Sequence, residues 1–193
     1  MNTALLDTVR TFAFIAAALL VRPGGLAAQS QYKGIPFPPY EFYEAVLNQC
    51  GDENYNALGR SMEHLAPLLD AIQARLGADP RAEIASAIAE KDAEKTRAAL
   101  LRLIFLDLKL NLEEAGRAAA AARRNDLLQM AYTNYYFLSH EVSRRDRALD
   151  RELRDAFKEA YAAGDSARSS QAIGHLVGML SPIFCEPARD GAS

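Results

Sequence analysis

The sequence predicts an all-α protein: an antiparallel bundle of four to five main helices, closed by one disulfide. Three observations lead there. Beyond residue 39 the chain is dominated by alanine, leucine, arginine and glutamate, all strong helix formers. Apolar residues recur at helical spacing, as in Leu58, Met62, Leu65, Leu69, Ile72 and Leu76. No two alternating apolar segments flank a tight-turn signal, so hairpins are not predicted.

The elements follow in order. Met1–Ala28 reads as a cleaved secretory signal peptide. Arg10 closes a short n-region, Thr11–Val21 is largely apolar, and Pro23-Gly24-Gly25 breaks the run before Leu26-Ala27-Ala28. The apolar run falls well short of the ~20 residues that span a bilayer. The chain is therefore expected in a bacterial periplasm or outside the cell, with no transmembrane anchor. Gln29–Pro39 is an extended, proline-rich lead-in with aromatic residues, and residues 40–185 are expected to form one helical domain. Within it the first helix covers Tyr40–Gln49. Asn54–Leu76 reads as one helix kinked at Pro67, because the proline ring displaces the carbonyl four residues back. Arg81–Glu90 follows, then Ala93–Ala115 with Asp92 as its N-cap. Gly116–Asn125 either continues that helix or bends it. Asp126–Arg145 carries the aromatics Tyr132, Tyr135, Tyr136 and Phe137. Ala148–Ala163, a turn at Gly164-Asp165 and Ser166–Phe184 complete the domain, and residues 186–193 form a tail.

Ile84–Leu106 and Phe157–Met179 resemble one another at a fixed offset. Ala87/Ala160, Asp92/Asp165 and Leu103/Leu176 are identical, and Leu100/Ile173 are apolar in both. This suggests two similar helix-turn-helix units. The run Arg144–Asp155 alternates in charge, the pattern of a solvated helix face.

The totals narrow the function. Lys plus Arg number 22 against 25 Asp plus Glu, a net charge of −3. Nucleic acid needs a basic footprint, so it is not an expected partner. There are two cysteines, Cys50 and Cys185. In an oxidising compartment they are expected to pair, and a loop that long stabilises by on the order of 4–5 kcal/mol. No Cys-x-x-Cys-His occurs, which removes covalent c-type haem. Gly-x-Ser-x-Gly, a phosphate loop and His-Glu-x-x-His are also missing, so nothing points to an enzyme.

The sharpest anomaly is Asp107 with Asn111, set inside the leucine-rich arc of LLRLIFLDLKLNLEEA, with Glu114 at its side. A buried carboxylate is costly unless paired. Two readings stay open: a ligand or metal site facing the bundle interior, or a hydrogen-bond network reaching a tyrosine or arginine on another helix. Of the histidines, His140 is the candidate, one turn beyond Tyr136 and next to Glu141; His64 and His175 read as solvated. Asp107, Glu114 and His140 are the candidate metal ligands, although the Glu-x-x-His spacing of dinuclear bundle sites does not occur. Gly174-x-x-x-Gly178, with Ser170 and Ser181, predicts close approach of a neighbouring helix. The function expected is an exported, non-enzymatic bundle that binds a protein partner or a small ligand. The alternative is a periplasmic carrier or sensor of a transition metal or non-covalent haem.

Overall fold

The computed structural model describes residues 39–163 and 166–184, and among them every regular element is a helix. These are α1 (Pro39–Gly51), α2 (Tyr55–Glu63), α3 (Ala66–Leu76), α4 (Pro80–Glu90), α5 (Ala93–Arg117), α6 (Ala121–Arg145), α7 (Arg147–Ala162) and α8 (Ser166–Phe184). Met1–Ala28, most of the proline-rich lead-in, the Gly164-Asp165 turn and residues 186–193 lie outside the described residues.

Short polar side chains start the helices. Asn54 accepts from the Ala57 amide at 3.2 Å, Asp79 from Ala82 at 3.1 Å and Asp92 from Lys95 at 2.9 Å, each satisfying an otherwise unpaired first-turn donor. Asp146 both ends α6 and caps α7, accepting from the amides of Ala148 and Leu149 at 2.7 and 3.2 Å. Gly77 ends α3 in the left-handed conformation, at φ 65°, where only glycine lacks a Cβ penalty.

Two boundaries differ from expectation. Asn54–Leu76 is two helices, α2 and α3, rather than one kinked helix. Pro67 has no N–H to give and sits in the first turn of α3, where none is needed; the chain breaks at His64-Leu65 ahead of it. Downstream, α5 stops at Arg117 and α6 starts at Ala121, five residues before the expected Asp126. The missing turn proved to contain a core residue, Arg124.

Cross-helix contacts set the register. Asp107 meets Asn134, and Glu114 meets Arg123, so α5 and α6 run antiparallel. Tyr135 meets Asp150 while Tyr132 packs on Phe157, so α6 and α7 do as well. Ser170 meets Gly116 and Phe184 stacks on Phe105, which gives the same relation for α5 and α8. α5–α8 form a four-helix bundle, with α5 and α7 each flanked by α6 and α8. α1, α3 and α4 cover the remaining sides of α5. That enclosure explains why α5 is apolar almost all round: thirteen of its residues are buried, including Leu100, Leu103, Ile104, Phe105, Leu108 and Leu112.

The repeated pattern maps onto two packed pairs, α4–α5 and α7–α8. Ala87 and Ala160, Leu103 and Leu176, and Leu100 and Ile173 are buried in both. The alternating charges of α7 are only partly solvated. Asp150 turns inward, accepting from Tyr135 and pairing with Arg154 at 3.1 Å, and the Arg154 guanidinium lies 5.8 Å from the Tyr135 ring centre. Burial, then the bond to Asp150, pushes the Tyr135 hydroxyl well above the ordinary tyrosine range.

The expected close approach at Gly174 and Gly178 is corrected. A Cβ built on either glycine meets nothing within 4 Å, and both residues are exposed. Core packing on α8 is done instead by Ser169, Ile173, Leu176, Leu180 and Phe184. Gly174→Ala and Gly178→Ala are therefore expected to stabilise the protein, by about 0.5–1 kcal/mol each, through lower backbone entropy in the unfolded chain. Chemical denaturation checks this, and a loss of stability in either variant would show a neighbour against that face.

Cys50 is buried and makes no disulfide among the described residues; Cys185 lies outside them. The Cys50 thiol donates to the Ala93 carbonyl at 3.6 Å. Burial pushes its pKa up, which keeps it protonated and a poor nucleophile.

Candidate functional site

Asp107 and Asn111 are both fully buried, as their place in the leucine arc of α5 requires. Around them the fold gathers Tyr43 from α1 and Asn134 from α6, at 1% and 2% exposure. The Tyr43 hydroxyl and the Asn134 amide each donate to Asp107 Oδ2 at 2.8 Å. Asn111 Nδ2 donates to Asp107 Oδ1 at 3.2 Å and to the Asp107 carbonyl at 3.0 Å. Three side-chain donors thus reach one carboxylate, and the group ties α1, α5 and α6 together. Of the two readings of Asp107 and Asn111, these contacts support the hydrogen-bond network, reached through a tyrosine.

The other candidates stand elsewhere. Glu114 is a partly exposed hub, paired with Arg75 of α3 and lying 3.7 Å from Arg123 of α6. Tyr136 is 67% exposed and His140 is exposed as well, on the side of α6 away from its core stripe. The structure therefore joins Asp107 to Asn111 but brings neither Glu114, Tyr136 nor His140 to them. Among the described residues no three His, Cys, Asp or Glu side chains are grouped to hold a metal ion. The physical reason is the helical period: Asp107 lies on a face enclosed by neighbouring helices, whereas Tyr136 and His140 fall on an exposed face of α6. His64 is exposed at the end of α2, and His175 Nε2 lies 3.4 Å from Glu152 Oε1 on the surface.

A cleft of about 920 Å³ opens between α4, the first half of α5, the end of α6 and the end of α8. Sequence reasoning missed it, since it belongs to no single helix. Its floor is apolar, made by Ala87, Leu101 and Phe184, with Phe184 stacked on Phe105 at a ring separation of 5.5 Å. Its walls alternate in sign. Arg102 pairs with Glu83 at 2.8 Å, and Lys95 with Glu90 at 2.6 Å. Glu141 accepts from both Arg144 and Arg145 at 2.8 Å, and the Arg144 bond above all holds its carboxyl below the ordinary range. Arg145 also reaches the Ile183 carbonyl at 3.3 Å, tying α6 to the last turn of α8. Among the described residues, no His, Met or Cys lines the cleft. Among the described residues no helix is long and apolar enough to cross a membrane.

No protein-family model matches this chain, and neither a curated protein nor a solved structure matches it.

Proposed function

We propose that this chain is an exported, non-enzymatic binding module whose cleft between α4, α5, α6 and α8 holds an amphipathic small ligand or a short segment of a partner protein. The cleft carries the reading. Its volume lies in the range of ligand sites, and an apolar floor with a few fixed polar groups is the usual composition of such sites. Paired charges line the walls, so a ligand with an apolar body and polar ends meets an apolar floor with polar groups of both signs around it. Export rests on the Met1–Ala28 segment.

The Cys50–Cys185 disulfide belongs to the same proposal. Cys50 lies beside Ala93 at the start of α5, and Cys185 directly follows Phe184, which lines the same cleft as Glu94 and Arg97. In an oxidising compartment, closing that bridge would clamp the end of α8 and one wall of the cleft.

One experiment tests these parts together: mass spectrometry, native and denaturing, on protein recovered from the periplasm of a Gram-negative host. The expected chain lacks residues 1–28, is two hydrogens lighter than its reduced form, and releases a bound compound or peptide on denaturation. The exposed cleft residue Ala98, replaced in Ala98→Trp, should leave the fold intact and abolish the bound mass. Retention of residues 1–28 in the cytoplasm would overturn export. A bound mass that persists in Ala98→Trp, or none in the parent, would overturn the cleft.

A further inference from the structure

The charges around the cleft are unevenly divided, and the division narrows what the cleft can hold. On the α4 side they cancel: Arg102 pairs with Glu83 and Lys95 with Glu90, one cation to each carboxylate. On the α6 side they do not. Arg144 and Arg145 share the single carboxylate of Glu141, and Arg144 alone takes both of its oxygens, at 2.8 and 3.3 Å. Arg97 of α5 lines the same cleft, is exposed, and enters no ion pair among the described residues.

The register brings these arginines to one end of the cleft. Asp107 meets Asn134 across the antiparallel pair α5 and α6. Arg97, ten residues back along α5, is therefore level with Arg144, ten residues on along α6. Glu94, one turn before Arg97, acts on the Arg144 guanidinium, more weakly than Glu141 does. Three guanidiniums thus stand against two carboxylates at this end, an excess of one positive charge. A guanidinium carries five N–H donors in a planar fork, and Arg97 brings all of its own to a cleft wall. Beside this end lies the apolar floor of Ala87, Leu101 and Phe184.

Resting on the reading of the cleft as a binding site, we infer that its ligand is a free single-chain amphiphile with a carboxylate head. The head lies against Arg97 and Arg144, where it balances the excess charge through charge-assisted hydrogen bonds. The alkyl chain lies along Ala87, Leu101 and Phe184, where it leaves water. These three residues are recessed, at 5%, 6% and 8% exposure, so a chain must enter the cleft to reach them. A bilayer surface cannot follow it there.

Isothermal titration with dodecanoate, below its micelle concentration, tests this on the chain stripped of bound compounds. Dodecanol and dodecyltrimethylammonium carry the same alkyl chain with no charge or the opposite one. Dodecanoate should bind saturably, about tenfold or more tighter than either, and should weaken as salt is raised. Decanoate should bind more weakly, by up to about fourfold for each methylene removed. Arg97→Glu should weaken dodecanoate binding about tenfold and leave dodecanol binding at the parent value. Ala98→Trp should abolish binding of dodecanoate. Dodecanol binding as tightly as dodecanoate, or undiminished dodecanoate binding in Arg97→Glu, overturns the carboxylate head and leaves the cleft standing as a site for another ligand. Dodecanoate binding that persists in Ala98→Trp overturns the inference at the cleft. No binding of any of the three compounds overturns it together with the small-ligand reading.

Discussion

Asp107→Ala is expected to lower folding stability by about 3–5 kcal/mol: three buried neutral donors are left unpaired at about 1–3 kcal/mol each, partly offset because a buried carboxylate is removed. The substitution strands three donors at once: the Tyr43 hydroxyl, the Asn134 amide and the Asn111 amide. None of them reaches water, since all three residues are at or below 2% exposure. The loss should exceed that of Tyr43→Phe, which deletes a single hydroxyl and is expected to cost about 1 kcal/mol, or somewhat more because its acceptor is charged. Asp107→Asn is intermediate: it keeps the volume but turns one acceptor oxygen into a donor facing other donors. Urea denaturation at neutral pH measures all three. A stability change for Asp107→Ala below about 1 kcal/mol would mean that the carboxylate is not the centre of the network. The same variants separate structure from ligation. On the network reading their metal content equals that of the parent, whereas a metal site would lose its ion while the protein stayed folded.

Phe157→Ala should have a comparable effect, about 3–5 kcal/mol, through a cavity rather than a broken bond. The ring is 1% exposed and packs against Tyr132 and Tyr135, with centroids 5.2 and 5.5 Å away. Those aromatic pairs add about 0.5–1.5 kcal/mol beyond the area they bury. Removing Phe157 also loosens the support under Tyr135, whose hydroxyl must hold its place against Asp150. Phe157→Leu refills most of the volume and should recover more than half of the loss. The two together distinguish packing from the aromatic contacts. If Leu restores nothing, the aromatic geometry around Tyr135 carries the effect, and loss of the Tyr135–Asp150 contact should then appear in the tyrosine absorbance.

Local rules made much of the fold legible. Asp92 stands before a long apolar-periodic run and does cap α5, because a short side-chain acceptor at that place satisfies a backbone donor whatever surrounds it. Asp107 and Asn111 could be placed in the interior because a helix turns 100° per residue and Leu100, Leu103 and Ile104 share their arc. Pro67 was read correctly as an interruption, but its consequence was not. Whether a proline bends a helix or starts a new one depends on what the preceding turn packs against. Arg124 went unseen for a related reason. A reading that begins α6 at Asp126 omits the turn on which Arg124 falls in line with Leu127, Leu128 and Ala131.

The sequence by itself determined the all-helical class, most helix limits, the Asp92 cap, and the inward placing of Asp107 and Asn111. Those follow from backbone hydrogen bonding and the 3.6-residue period, which act over one or two turns. Only the tertiary structure decided which inward faces meet. It joined Asp107 to Tyr43 and Asn134, sent Glu114 to arginines, and left Tyr136 and His140 in solvent. It left Gly174 and Gly178 uncovered and drew the cleft from four helices. Side chains on different helices are brought together by packing of whole faces, and no spacing along one helix encodes the identity of its neighbour.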